Sequence, residues 1–336
     1  MSLFTALPRR SALLLSAAAL AFTTGMPLAS AQTTLSVNCD AGDSLATAVN
    51  AATPNTTINL SGTCEEAIHI PRTTNGLTIN GGGEATVVEP AHDAPPTGPG
   101  SFTFFIEGQG VNLTGLNISG GAHAVHLSGP AFATITDNTI TDSGGAIHLD
   151  KDSTGQIAGN AISGNHGYGI NLQENSYARI GFTAPTRGLN GNTITDNEGP
   201  GIVVKQWSTG WISGNTISGN QGHGVWIDRN SLGEVYDNTI ENNTLDGINI
   251  SQGSGLSLNP EGKEAPSSVA GNRTVAGSHN GGWGIRCSVG GFVSGEPDTL
   301  NGEQGPAEIT QGCEDNRSGQ TPTKPQELSS RIQLSS

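Results

Sequence analysis

Through the middle of the chain, isoleucine, valine and leucine return every few positions, spaced by glycine, asparagine and other polar residues. The segments ITDNTITDSGGAIHL (135–149), IAGNAISGNHGYGINL (157–172), LNGNTITDNEGPGIVV (189–204), ISGNTISGNQGHGVWI (212–227) and VYDNTIENNTLDGINI (235–250) share one pattern, I-x-x-N-x-I-x-x-N-x-G-x-G-I-x-L. A looser copy, VNLTGLNISGGAHAVHL, starts at Val111. Asn138 and Asn160 are 22 residues apart, and Asn192, Asn215 and Asn238 are spaced 23 apart. Each unit predicts three short strands: one on the first Ile, one on the Ile two after the Asn, and one on G-I-x-L. Alternation along a strand sends Ile170 and Leu172 to one side and Asn171 to the other. A single unit cannot bury its apolar side. Stacked as coils, the units bury a continuous column, with parallel strands ~4.8 Å apart.

The asparagines then fall in columns. Asn138, Asn160, Asn192, Asn215 and Asn238 take one corner of successive coils, and Asn165, Asn197, Asn220 and Asn243 the next. Asparagine tolerates the left-handed backbone of a tight corner, and stacked amides can hydrogen-bond along the column. A thin core with backbone-driven corners suits a chain of 49 glycines and 4% aromatics. The tripeptide Gly222-His223-Gly224 matches one found in pectin-cutting hydrolases. Other coils read Gly167-Tyr168-Gly169, Gly199-Pro200-Gly201 and Gly282-Trp283-Gly284 there, so His223 reads as the variable middle of a corner. The paired aspartates and R-I-K-like strand of such a hydrolase are missing.

This repeat resembles the right-handed parallel β-helix family, the pectate-lyase-like fold, over roughly residues 35–314. The resemblance implies an all-β, single-stranded right-handed parallel solenoid. Its superfamily spans polysaccharide lyases, glycoside hydrolases, uronate epimerases and phage tail proteins, so it implies no one activity and supplies no catalytic residues. NSYARIGF (175–182), GGWGIRCSVGGFVSG (281–295) and TLNG (299–302) look like a group of exported bacterial β-helix proteins.

Residues 1–31 read as a secretory signal peptide: Arg9 and Arg10, an apolar run from Ala12 to Phe22, then Ala29-Ser30-Ala31. The apolar run is short for a membrane span. The arginine pair leaves the general and twin-arginine routes both open. Cleavage before Gln32 removes both methionines, which argues against a thioether copper carrier. It also removes two arginines, taking the net charge of −15 to −17. A surface this acidic repels nucleic acid. Export to the periplasm or beyond implies an oxidising compartment. None of Cys39, Cys64, Cys287 and Cys313 lies in a C-x-x-C spacing, so a cysteine zinc site is disfavoured. Of three connectivities, the two local pairs are expected, each closing a loop of about 25 residues and contributing ~3 kcal/mol.

The mature chain divides into a cap over about 35–75, coils over about 76–290, a disulfide-tied end at 287–313 and a disordered tail at 315–336. In the cap, Asp43 or Ser44 starts a short helix running to Ala52. GFTAPTRGL (181–189) and NPEGKEAPSSV (259–269) lengthen two coils at an equivalent place and read as loops on one flank. A monomer is expected.

Chemistry is expected on the outward face of the G-I-x-L strands. The outward row there is His126, His148, Asn171, Val203, Trp226, Asn249 and Arg286. Two residues on, it is Ser128, Asp150, Gln173, Lys205, Asp228 and Ser251. Trp226, Trp207, Asn171, Asn249 and Arg229 are the candidate contacts for a polysaccharide. The catalytic candidates are Lys205, Asp150, Asp228 and His148. Lys205 or His148 would take the proton beside a uronate carboxylate, and the aspartates could hold Ca²⁺. A two-carboxylate hydrolase is disfavoured, because Asp150 and Asp228 lie three coils, ~14 Å, apart. Two readings stay open: a polysaccharide lyase or epimerase, and a non-catalytic carbohydrate-binding or envelope structural protein.

Overall fold

The structure, a computed structural model, describes residues 32–89, 102–183, 190–258, 276–295, 299–310 and 312–317. Successive coils lie in parallel register in three strand columns. One turn of the chain runs Phe132–Thr136, Thr139–Thr141 and Ile147–Leu149 before re-entering the first column at Thr154–Ala158. The first column is a twelve-stranded parallel sheet. Among the described residues one antiparallel pairing occurs, Gly302 with Gly305.

The register places like residues over like. Ile135, Ile157, Ile180, Ile212 and Val235 stack in the first column. Ile140, Ile162, Ile194, Ile217 and Ile240 stack in the second. Leu149, Leu172, Val204, Ile227 and Ile250 stack in the third. All fifteen are 0% exposed. Burial of each such side chain is worth ~1.5–3 kcal/mol, and the stack repeats it coil after coil.

Both asparagine ladders form. In the first, the side-chain amide of Asn138 donates to Oδ1 of Asn160 at 3.0 Å, Asn160 to Asn192 at 2.9 Å, Asn192 to Asn215 at 2.8 Å and Asn215 to Asn238 at 2.9 Å. In the second, the chain runs Asn165, Asn197, Asn220, Asn243 and on to Asn280. The expected backbone reason needs correction. At most of these corners the left-handed residue is the one before the asparagine, such as Asp137 (φ 56), Gly159 (φ 70), Asp196 (φ 55) and Gly214 (φ 74). The asparagine follows the bend and turns its amide inward. A third ladder, of serines, closes the remaining corner: the backbone N–H groups of Ser176, Ser208 and Ser231 donate to the hydroxyls of Ser208, Ser231 and Ser254.

At the N-terminal end the helix Leu45–Ala51 places Leu45 and Val49 in the core. Its cap is Ser44, whose Oγ accepts from Thr47 N–H at 3.1 Å, while Asp43 accepts from Asn38 instead. The Glu66 carboxylate accepts from the N–H groups of Leu45 and Ala46, both at 3.0 Å. The local disulfides, Cys39–Cys64 and Cys287–Cys313, are both present. The expected tail boundary is too early, because Glu314–Arg317 forms a strand paired in parallel with Phe292–Gly295. The expected signal peptide, most of the first added loop, all of the second, and the tail from 318 lie outside the described residues.

Candidate functional site

The outward row of the third column is aligned as the repeat predicts. His126 pairs in register with His148, and onward through Asn171, Val203, Trp226, Asn249 and Arg286. Lys205 pairs with Asp228. The row differs from a solvated ribbon in its burial. His126 is 7% exposed, His148 6%, Asp150 6% and Asn171 1%. Side chains one coil apart cover each other, and rings from neighbouring corners cover them again.

Those rings are what the sequence reading left out. Tyr168, the middle of its Gly-Tyr-Gly corner, reaches back over the preceding coils. Its hydroxyl lies 2.5 Å from Nδ1 of His148 and 3.1 Å from Nδ1 of His123. His123 stacks on His148 with centroids 4.4 Å apart. Phe102 and Phe105 meet the His126 ring edge-on, at 4.6 and 5.3 Å. His69, Phe102 and Phe105, with Ala67 and Ile68, line a 250 Å³ depression beside this cluster. A histidine two or three residues before another, as in His123-Ala-Val-His126, was the available signal.

Burial makes the imidazoles of His148 and His123 poor cations. It holds His148 down to about 2, with the neighbouring His123 and His126 adding to the effect. It also holds His123 down to about 4. Both rings are therefore neutral at pH 7, and burial pushes the Tyr168 hydroxyl up, so it keeps its proton. Burial alone would raise Asp150, but His126 and Ser128 outweigh it and hold the carboxyl at about 2. Asp150 Oδ2 lies 3.1 Å from His126 Nε2, 3.9 Å from His148 Nε2 and 3.7 Å from Lys151 Nζ.

The remaining candidates sit further along the same face. Lys205 is half-buried, and burial followed by the nearby Arg229 lowers its pKa. Asp228 is buried and engaged: Oδ1 accepts from the Ser251 hydroxyl at 2.7 Å, and Oδ2 lies 3.4 Å from Arg229 Nε. Trp226 is half-covered, its Nε1–H donating to Ser251 at 3.4 Å. Asn249 donates to Asp246 at 2.9 Å. Trp207 leaves the row altogether. It stands in the turn after the strand Ile202–Lys205, with φ 68 and 68% exposure. His223 packs against the next coil, its Nδ1 3.3 Å from Asp246 Oδ2, which fits a corner residue.

The site therefore has two parts: a buried His–Tyr–Asp cluster on the early coils, and an open Lys205–Trp226–Arg229 stretch beyond it. Among the described residues no helix is long and apolar enough to cross a membrane. No curated protein sequence matches the chain. The family described as the right-handed beta helix region matches residues 97–208 and 186–262. The pectate lyase Pel9A aligns with a TM-score of 0.51 at 10% identity, over 81% of this chain and 78% of that one. The periplasmic alginate epimerase AlgG aligns at 0.47 and 14% identity, over 78% and 76%. At 10% identity the likeness to Pel9A is one of fold. The stacked coils, their parallel register and the matched repeat region agree: the chain is a right-handed parallel β-helix protein of the pectate-lyase-like fold.

Proposed function

We propose that this protein is exported, through removal of residues 1–31, and processes a uronate-containing polysaccharide along the third strand column. The reaction is proton removal beside the uronate carboxylate, as in a lyase or an epimerase. The observation that carries this reading is the Tyr168 hydroxyl held between two neutral imidazoles, His123 and His148. His123, the less depressed of the two rings, takes the C5 proton, its imidazolium stabilised by the negative charge of the bound uronate, and the electron pair left behind is delocalised into the carboxylate. In elimination the pair forms the C4–C5 double bond, the C4–O bond breaks, and the leaving oxygen takes a proton from Tyr168. In epimerisation a proton returns to C5 on the other face. Lys205, two coils beyond Asp150 and so ~10 Å along the face, supplies a cation for the carboxylate of a neighbouring sugar. Two disulfides fit an oxidising compartment outside the cytoplasm.

The test is to incubate the purified chain with alginate, pectate and neutral glycans in D₂O. Unsaturated uronate absorbance reports elimination, and deuterium at C5 reports epimerisation. Neither signal from any uronate polymer would remove the catalytic reading. The second reading, a non-catalytic carbohydrate-binding protein acting as a monomer, is favoured by Trp207, an exposed indole beside the row. It expects binding without product.

A further inference from the structure

The buried cluster contains more unpaired polar atoms than a proton-transfer pair needs. His126 Nδ1 and Nε2, Asp150 Oδ1 and Asn171 Oδ1 are all buried without a hydrogen-bond partner. Leaving such atoms dry and unpaired is expensive, and several in one place indicate a missing partner. Three of the four belong to residues whose donors converge. Ligand atoms from His126, His148 and Asp150 all lie within 4.8 Å of one another. His126 Nε2 is 3.1 Å from Asp150 Oδ2, yet the contact fails as a hydrogen bond, so the carboxylate lies off the ring's donor direction.

We propose that His126, His148 and Asp150 form a binding site for one divalent transition-metal ion of the Zn²⁺ class. Donor atoms around a tetrahedral ion with bonds of 2.0–2.1 Å are ~3.3 Å apart. The separations of 3.1 Å and 3.9 Å from Oδ2 bracket that value. Two imidazole nitrogens with one carboxylate suit zinc and its neighbours, not Ca²⁺, which takes six to eight oxygens. Three protein ligands leave a fourth position for water or substrate.

The surroundings support the ligand atoms. Phe102 and Phe105 pack edge-on against His126 and fix its plane. Tyr168 OH and the Asn171 amide face Nδ1 of His148, at 2.5 and 3.0 Å, leaving Nε2 toward Asp150. Turning the Asn171 amide over would let its unpaired Oδ1 accept from Nδ1–H and free Nε2 as a ligand. The nearest other cation, Lys151, is 63% exposed and can swing away from Asp150. The adjacent His123 stays with Tyr168 as the proton-handling pair, so the ion deepens the proposed reaction while its binding can be measured without it.

The experiment uses the untagged chain, stripped with chelator and titrated with ZnSO₄, with CaCl₂ in parallel. Bound metal is read by elemental analysis after dialysis, and Co²⁺ substitution by visible absorption. One Zn²⁺ per chain is expected, with no competing Ca²⁺ uptake. His126→Gln and Asp150→Asn should each weaken it at least ~100-fold, and Asn171→Ala ~10-fold as a residue behind the ligands. His166→Ala, which removes an exposed histidine flanked by Asp142 and Glu198, should leave it unchanged. Apo melting curves establish that each variant is folded. Failure of the wild-type chain to bind Zn²⁺, or binding lost with His166 instead, overturns the site. Zinc bound without turnover of any polymer keeps the site and removes the proposed reaction.

Discussion

The Tyr168 hydroxyl sits 2.5 Å from Nδ1 of His148, across the gap between two consecutive coils. Space for that contact comes from Gly145, the equivalent corner residue one coil earlier. A Cβ on Gly145 would lie 2.6 Å from the tyrosine ring. Two glycine-rich corners, one filled by a ring and the other emptied for it, thus bring a phenol onto a histidine twenty residues away in the chain.

Tyr168→Phe is therefore expected to lower turnover ~10²–10⁴-fold, the usual worth of a positioned proton donor. It removes one oxygen and keeps the ring packing. Gly145→Ala should act on the same step without removing any reacting group, by pushing the ring off His148. Steady-state rates with circular dichroism check both. Full activity in Tyr168→Phe would exclude the hydroxyl from the chemistry.

The inner asparagines should matter more than the terminal one. Asn215 donates to Ile180 O, Ser213 O and Asn238 Oδ1, while its own Oδ1 accepts from both nitrogens of Asn192. Asn138, the first of the column, donates its amide to Leu113 O and Asn160 Oδ1 and accepts one hydrogen bond, from Leu116 N–H. Each buried group left unpaired costs ~1–3 kcal/mol. Asn215→Ala should lose ~3 kcal/mol or more in urea unfolding, and Asn138→Ala distinctly less. Equal losses would mean the ladder does not act as a connected column.

Much of this was legible because a solenoid converts sequence spacing into spatial adjacency. Asn138 and Asn160, or His126 and His148, are neighbours simply because the strands that carry them repeat in register. What the repeat does not encode is side-chain reach. Tyr168 occupies a corner where other coils carry Pro200 or His223, and only its length brings it to His148 and His123. Burial of the outward row was hidden for the same reason: alternation tells which side of a strand Asn171 faces, not what folds over it. At most corners the left-handed bend fell one residue before the asparagine because Asp and Gly tolerate it too, and the amide is needed inside.

Acid should loosen the coil around Asp246. Burial alone would raise its carboxyl, but His223, the Trp283 N–H and the Asn249 amide together hold it below the usual carboxylate range. A depressed folded pKa adds stability that is present above the unfolded value of ~3.9 and lost as pH falls through the folded one. Stability of the wild-type chain should therefore fall below about pH 4, and Asp246→Asn should flatten that fall. Urea midpoints between pH 2 and 6 measure it, and an unchanged slope would remove Asp246 from the acid response.

Trp207 offers a way to separate binding from folding. It takes a left-handed turn position with φ 68, and the same place in neighbouring coils holds Asp152, Asn175, Asn230 and Gly253. Those residues accept a positive φ at little or no cost, whereas for a bulky side chain it costs ~1–2 kcal/mol. The indole itself stays 68% exposed. Strain retained at an exposed aromatic is a mark of a contact surface. Trp207→Gly is expected to raise the unfolding free energy by ~1 kcal/mol while weakening glycan binding several-fold, and Trp207→Phe should restore much of the binding and not the stability. Calorimetric titration with oligosaccharide beside urea unfolding gives both numbers. A glycine variant that binds as well as the parent would make the tryptophan a tolerated irregularity of the turn, and the sugar-binding surface would then end at Trp226.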